Sequence, residues 1–556
     1  MAKDLTQDEQ REIDALVGSG VSDPAAFGGA YDGAARFDNQ IAGWNPPVQS
    51  ADLDLLPEKD TLDGRTRDVG RNDAYVQNGF ELHKDSIVGS SYLLNSKPIW
   101  SVLGKTEAWA ENFQKEVEEK FTLWAESPMN WVDASEQNDF TAMIRLAVGV
   151  NTMGGEVLAT VEWLRGGGRE FGTAIQMIDA DRLSTPYELL NDRNVRKGIR
   201  FDRFGRRRSA YIRVDHPMDY GMAWRGENFW KEVPFRKPWG RQQVIFLHEQ
   251  NRVGQTRAVS SIVAGLKEIA ITRKFRDVTL QNAVVNAMYA ASIESELPSQ
   301  AVYEQLGAGR GNAAGGVVDF ATQYLGAISQ YVGSAKNLMI DGVKVPHLFP
   351  GTKLQMRPAG TPGGVGQDFE KSLLRYIAAS LGVSYEELTR DYSNTNYSSA
   401  KAAMAGTRKH MQSKKKNTAD AFANHVFRLW LEEAVNKDRL ETFRASEAAK
   451  LYTDGHLNLM FDALAKCDWI GAGRDQIDEL KETQAAVLRI KYGLSTHEDE
   501  LARLGKDWRK VYPQLERETK EREARGIVLM EDNSVNAASG APRQQEQDGT
   551  DSDDDE

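Results

Sequence analysis

The sequence predicts an α+β protein of several domains, and three stretches carry that prediction. Between residues 156 and 248, apolar and polar residues alternate in short runs around turn glycines, the period-2 pattern of half-buried strands. From 256 to 294, and again from 367 to 435, the period becomes helical and no proline interrupts it. A chain of 556 residues is also long enough to bury more than one core.

Residues 1–60 are rich in Asp, Gly, Ala and Pro, and Gly43-Trp44-Asn45-Pro46-Pro47 restricts the backbone to extended or turn conformations, so a mostly irregular arm is expected. Residues 66–90, with Arg67, Arg71, Asn72, Tyr75, Asn78, His83 and Ile87-Val88-Gly89, read as one helix ending at Gly89 and turning into a strand. Trp109, Phe113, Val117, Phe121 and Trp124 recur at helical spacing over 108–125, and their aromatic face is a core candidate. A helix over 138–151 stops at Gly154-Gly155. Residues 156–164 and 171–178 then form a hairpin around Gly166-Gly167-Gly168. Short strands follow at 198–202, 210–214 and 244–248, with a basic turn Arg206-Arg207-Arg208 between two of them. Residues 61–255 are therefore expected to form an α+β domain.

Val259, Ile262, Val263, Leu266 and Ala270 mark one apolar face of the 256–294 helix, which if unbroken would run about 55 Å. Residues 297–366 read as a small α/β insert, with a glycine-rich stretch at 307–316, a helix over 317–332 and strands near 338–340 and 354–357. Helix, loop and helix follow. Leu373, Leu374, Ile377, Ala378 and Leu381 form an apolar face, and Gly382 supplies the stop. The polar run 391–399, Asp-Tyr-Ser-Asn-Thr-Asn-Tyr-Ser-Ser, makes a loop, with Ser398 or Ser399 as the cap of a long helix that begins in alanines.

This last helix has no Asp or Glu between Tyr397 and Ala419, yet carries Lys401, Arg408, Lys409, Lys414, Lys415 and Lys416. Lys401, Arg408 and Lys415 are seven apart and so lie on nearly one face, a basic stripe beside an Asn/Tyr/Ser loop that suits a polyanion backbone. On an isolated helix such a run more often faces water. Beyond 435 the chain is helical again, with helices over 475–492 and 496–525 separated by Gly493. Residues 531–556 end in Asp-Ser-Asp-Asp-Asp-Glu and hold too little apolar surface to fold, so a disordered acidic tail is expected.

A formal net charge of −12 and a pI near 5.4 argue against a protein that coats nucleic-acid phosphates tightly. Cys467 is the one cysteine, which excludes an internal disulfide framework and a cysteine-based zinc site and fits a reducing cytoplasm. No basic region followed by an apolar run opens the chain, and charges break every apolar run before about 18 residues, so neither a signal peptide nor a membrane span is expected. Gly104-Lys105-Thr106 resembles the end of a nucleotide-binding loop, but Ile99 stands where the leading Gly belongs. The glycines at 309, 311, 315 and 316 do not follow a strand that opens into a helix. His248-Glu249 lacks a second His at metalloprotease spacing, and the 8 histidines are scattered singly. No catalytic residue, metal site or cofactor is expected.

Several segments carry a family resemblance. The run Phe369-Glu370-Lys371-Ser372-Leu373-Leu374-Arg375-Tyr376-Ile377-Ala378-Ala379, then Gly382-Val383-Ser384-Tyr385-Glu386 and Tyr397-Ser398-Ser399-Ala400, resembles portal proteins of lambda-type tailed phages. Gly43-Trp44-Asn45-Pro46-Pro47, Gln255-Thr256-Arg257, the run from Asn286 to Leu297, Val345-Pro346-His347-Leu348 and Cys467-Asp468-Trp469-Ile470-Gly471 are similar to that family too. The similarity runs in order from about residue 31 to 525. Ala258 departs from it, standing where relatives often carry Gly, and is expected to alter the start of the following helix without affecting function.

The resemblance implies a virion protein, assembled in the host bacterial cytoplasm, that forms a homo-oligomeric ring, usually of twelve subunits, at one capsid vertex. Double-stranded DNA would pass through it in packaging and ejection. Its other partners would be the terminase large subunit, the major capsid protein and head-completion or connector proteins, with no membrane involved. On that plan 1–60 is an arm, 61–255 the wing, 256–296 and 367–387 the stem helices, and 297–366 the clip. Residues 388–399 become a tunnel loop, 400–469 a channel helix returning to the wing, and 470–530 a helical crown. Asn394, Asn396, Tyr397 and Ser398 would face DNA from the tunnel loop. Lys401, Arg408 and Lys415 would contact either DNA or a neighbouring subunit. A conduit must not grip its cargo, and an acidic lining with few cations meets that need. The alternatives are an ATPase or nuclease of the packaging machinery, and a scaffold or shell protein.

Overall fold

The fold comes from a computed structural model that describes residues 43–216, 219, 229–289, 338–340, 343–345, 365–393, 395–473 and 478–527. The chain divides into two units, residues 1–58 with 250–257, and residues 59–249 with 258–556.

In the first unit, residues 44–50 are extended, as the Pro-Pro pair requires, and Ser50 caps a short helix α1 (Ala51–Leu55). The Asp52 carboxylate accepts from the Thr256 amide at 2.8 Å and its hydroxyl at 3.0 Å. The Gln255 side chain accepts from the amides of Asn251 and Arg252 and donates to the Arg257 carbonyl at 2.9 Å. The described part of the arm, from residue 43, is thus less irregular than expected, because side-chain amide and carboxylate bonds fold Gln255-Thr256-Arg257 back on α1.

The second unit opens with α2 (Lys59–Asn72) and α3 (Ala74–Ile87), where one helix was expected. Asp73 breaks it: extended at φ −122°, its carboxylate accepts from the amides of Tyr75 and Val76 and so starts a new helix. Gly89 turns the chain at φ 71° into β1 (Leu93–Ser96). Then come α4 (Glu107–Ala125), capped by Thr106, and α5 (Phe140–Gly154), capped by Asp139. The predicted aromatic face of α4 is core. Phe121 meets Phe140, Phe427 and Trp430 edge-on, with ring centroids 5.3, 5.5 and 5.3 Å away.

The predicted hairpin is β2 (Glu156–Trp163) with β3 (Thr173–Ile178), Leu158 opposite Ile178. Four further strands are β4 (Val195–Arg196), β5 (Ile199–Phe201), β6 (Arg207–Arg213) and β7 (Trp230–Pro234). With β8 (Val244–His248) added, the two antiparallel sheets run β3-β2-β8 and β4-β5-β6-β7. Arg207 and Arg208 lie in β6, not in the turn. The turn is closed by Asp202, whose carboxylate accepts from the amides of Phe204 and Arg206 at 2.9 Å each. Arg207 is directed instead to the Phe246 carbonyl of β8 at 2.9 Å.

The long helix starts later than expected. Residues 261–265 form a 3-10 turn capped by Ser260, and α6 is Leu266–Tyr289, roughly 36 Å at 1.5 Å per residue. Upstream, the Ala258 amide donates to Glu156 Oε1 and its carbonyl accepts from Lys59 Nζ, each at 2.6 Å. With both backbone groups held by side chains of other elements, Ala258 is not part of a helical ladder, so this position does not set the helix start. Residues 290–294 lie outside the described residues. Of the 297–366 insert, the expected strand at 338–340 is present as β9 (Leu338–Ile340), paired with β10 (Val343–Val345). The other elements expected there, 307–316, 317–332 and 354–357, lie outside the described residues, as does the acidic tail 531–556.

Next come α7 (Val365–Leu381), α8 (Tyr385–Thr389) and α9 (Tyr397–Lys414), then a π-helical turn over Lys415–Asp420 that runs on into α10 (Ala421–Asn436). Helix α7 packs on α6, with Arg276 bound to Glu370 at 2.6 Å and Phe275 edge-on to Phe369 at 5.5 Å. Two short helices, α11 (Ala445–Ala448) and α12 (Leu459–Leu464), flank the hairpin β11 (Tyr452–Thr453) and β12 (His456–Leu457), and β13 (Cys467–Ile470) pairs antiparallel with β1. The C-terminal helices are α13 (Glu479–Lys491), α14 (His497–Arg503) and α15 (Trp508–Arg525). The expected helix over 496–525 is two, parted at Gly505 with φ 73°. Among the described residues no helix is long and apolar enough to cross a membrane.

Candidate nucleic-acid interface

The segment from α7 to α10 is a polar loop between two helices, and the protein holds the base of that loop firmly. Leu374, Ile377, Ala378 and Leu381 bury one face of α7, as their spacing predicts. Gly382 ends the helix at φ 69°. Ser384 and Glu387 form a capping box at α8, and Glu387 also accepts from the Thr407 hydroxyl of α9 at 2.5 Å. At the other end of α8, the Asn78 amide of α3 donates to the carbonyls of Glu387 and Leu388 at 3.0 and 2.9 Å. Its carbonyl oxygen accepts from Arg390 Nε at 3.1 Å. The sequence marks Asn78 only as a residue of the 66–90 helix and does not single out Thr407. Each is a polar residue on an otherwise amphipathic helix, and nothing in linear spacing says which carbonyl or carboxylate it meets.

Within the loop, Asp391 accepts from the amide and hydroxyl of Ser393, which hold its carboxyl below the usual range. The cap of α9 is Asn396, where Ser398 or Ser399 was expected. Its side chain accepts from the Ser399 amide at 2.9 Å, and its own amide donates to Ser399 Oγ at 3.2 Å. The shorter Asn/Ser box wins because Asn396 is extended, at φ −87° and ψ 165°, while Ser398 and Ser399 are already helical. Ser398 is exposed in the first turn. Asn394 lies outside the described residues, and Tyr397 is placed only as the first helical residue.

Of the basic stripe, Lys401, Arg408 and Lys415 do share a face, which lines a cavity of about 830 Å³ together with Glu387, Glu482 and Asp499. Lys401 lies 3.5 Å from Glu482 of α13. Lys415, in the π turn, donates to Asp420 at 2.6 Å and to the Trp469 carbonyl at 2.9 Å, and stands 5.2 Å over the Tyr92 ring. The Tyr92 hydroxyl donates to the same Asp420 carboxylate, and burial pushes its pKa well up. The stripe thus meets acids of its own chain. Lys414 likewise pairs with Glu249.

Lys105, weighed above as part of a nucleotide-binding loop, and one acidic grouping that the sequence did not suggest are both engaged within the chain. Lys105 donates to both oxygens of Glu447, at 2.7 and 3.0 Å, and stands over Trp109. Asp179, Asp181 and His216 are the grouping of potential metal ligands among the described residues. The Arg67 guanidinium occupies it, 3.4 Å from Asp179 and in two bonds to Asp181.

The class of protein follows from comparison: a model of the family described as phage portal protein, lambda family, matches residues 37–415. The chain belongs to this lambda family of phage portal proteins. It is 36% identical over 519 residues to the portal protein of Escherichia phage N15, covering 93% of this chain and 94% of that one. To portal protein B of Escherichia phage lambda it is 35% identical over 518 residues, again 93% and 94% of the two chains. Among solved structures it is similar to a chain in the neck of a native gene transfer agent particle computed with C12 symmetry. That match has TM-score 0.32 and 11% identity, over 81% of this chain and 99% of that one. A chain from the neck of an empty particle computed with C6 symmetry gives TM-score 0.34 and 12% identity, over 79% and 93%.

Proposed function

We propose that copies of this chain close into a ring at one capsid vertex, through which double-stranded DNA passes in packaging and ejection, and that the ring catalyses no reaction itself. The observation that carries this is the pairing of a polar loop, braced at its base by Asn78 and Thr407, with an acid-free helix in a chain of net charge −12. A helix that carries cations and no acid, in a chain acidic overall, gives contact with a polyanion weak enough to let it slide. On this plan 61–255 is the wing, 256–296 and 367–387 the stem, 297–366 the clip, 388–399 the tunnel loop, 400–469 the channel helix and wing return, and 470–530 the crown. The clip would meet the terminase large subunit and later the head-completion or connector proteins, and the ring would sit in the shell of major capsid protein. Family membership supports the reading, and so do the exposed apolar residues Val278, Leu280, Phe369 and Tyr376 on α6 and α7, which a neighbouring copy would cover.

Electron microscopy of the purified full chain tests it. Rings with an axial hole are expected, and monodisperse monomers at high concentration would sink the proposal.

A further inference from the structure

We propose that the cations that touch DNA are Lys409 and Lys416, one position along from the stripe that the sequence singles out, and that Lys401 and Lys415 serve instead to hold the chain's own acids. This rests on the reading above, in which α9 lines the DNA channel.

Ion pairing along the helix separates the two sets. Thr407, Met411 and Thr418 mark the buried side. One flank of it carries Lys401 and Lys415, engaged with Glu482 and with Asp420 and Trp469, and Arg408 lies half-buried on the same cavity. Lys409 and Lys416 are exposed, seven residues and about 10 Å apart, and Lys409 borders the same cavity beside Arg408. Neither pairs with an acid among the described residues. Around them Ser398, Ala402, Ala405 and Ser413 are exposed as well, short side chains that let a wide cylinder lie close. No carboxylate stands on the helix from Tyr397 to Ala419.

Charge complementarity commits this face to a polyanion. Two lysines at the ends of long flexible stems, without the bidentate geometry of arginine, bind phosphate as point charges and carry no sequence preference. A conduit for an entire genome needs that property. An arginine cluster or a base-reading side chain would stall the cargo, whereas exposed lysines separated by small residues exchange phosphates as the duplex advances.

The experiment compares rings of the full chain with rings of K409Q/K416Q and K401Q/K415Q, titrated with a short DNA duplex at several salt concentrations. K409Q/K416Q is expected to form rings and bind the duplex more weakly, with a plot of log K against log salt flatter by about 0.9 for each phosphate that is no longer neutralised. K401Q/K415Q rings are expected to keep the wild-type slope. A wild-type slope in K409Q/K416Q overturns the assignment. So does failure of K409Q/K416Q to form rings, which would make that face a contact between subunits. A flatter slope in intact K401Q/K415Q rings overturns it in favour of the other stripe. Wild-type rings that bind no duplex even at low salt, and package none, remove the conduit reading itself.

Discussion

Gly382 and His410 approach so closely that the turn after α7 has no room for a side chain. A Cβ at Gly382 would stand 2.6 Å from the His410 imidazole, and the glycine holds φ 69°. This contact fixes the end of one helix against the middle of another, and so sets where the loop between them begins. Gly382→Ala should therefore destabilise the protein by about 1–3 kcal/mol, from the left-handed backbone and the clash together. Combining it with His410→Ala should return part of the loss, since the smaller side chain relieves the clash and leaves the backbone strain. Denaturant midpoints of the two single variants and the double variant measure both terms, and strict additivity would remove the contact from the account.

The same region should make the fold acid-sensitive. His83 is buried, with Nδ1 2.7 Å from the Gly79 carbonyl and its ring 6.1 Å from that of His410. Burial lowers its pKa to about 4, and burial with the nearby Lys414 lowers that of His410. The unfolded chain binds a proton near pH 6.5 that the folded one refuses until about 4. Stability is therefore whole above pH 6.5 and falls as the pH drops toward 4, by about 1.4 kcal/mol per pH unit from His83, and His410 acts in the same direction. Urea midpoints at pH 7 and 5 should draw apart in the wild type, and less so in His83→Gln. An unchanged pH slope in that variant would show that His83 does not titrate with unfolding.

Glu118 has the opposite sign and marks where the C-terminal helices are fastened. It is buried, accepts from the Ser96 amide and pairs with Arg509 of α15 at 2.7 Å, yet burial pushes its pKa up to about 7. A carboxyl whose folded pKa lies above its unfolded value adds stability as the pH falls from 7 toward 4.5. Helix α15 buries no residue of its own. Its attachment depends on Arg509, which also bonds Gln114 and Asn95. Arg509→Ala removes the partner of a buried acid, a change worth on the order of 3 kcal/mol. Trypsin should then cut within 508–525 sooner than in the wild type, while 59–249 stays resistant. Equal cleavage rates would place the attachment elsewhere.

Where the pattern is local and long, the sequence was a sufficient guide. The aromatic face of α4, the β2–β3 hairpin and the extent of α7 all follow from period and stop residues, because burial of one face is what shapes them. The misses are places where a single side chain overrode the pattern. Asp73 divides one apolar stripe into two helices, and Ser260, by capping a 3-10 turn over 261–265, delays the start of α6. At the candidate site, the seven-residue spacing located a shared face correctly. It did not say that Glu482 and Asp420, 81 and 5 positions from their lysines, would be the groups facing it. An acid 81 positions away leaves no periodic trace, and one five positions away comes onto the lysine's face only because the helix winds into a π turn there.

The loop itself can be tested only if its two roles are kept apart. Replacing Asn394, Asn396 and Tyr397 together with Ala is expected to leave rings intact and impair DNA packaging or retention. Asn396, however, caps α9, and losing a cap costs about 1 kcal/mol in helix stability on its own. Asn396→Ser keeps a capping oxygen while removing the amide, so N394A/N396S/Y397A changes the surface offered to DNA and spares the helix. If both triple variants package poorly, the loop acts through its surface. If only the all-alanine variant does, the defect lies in the frayed first turn of α9, and the loop's contribution is to hold that helix in place. Full-length packaging by both would remove residues 394–397 from the mechanism, leaving α9 to face the duplex alone.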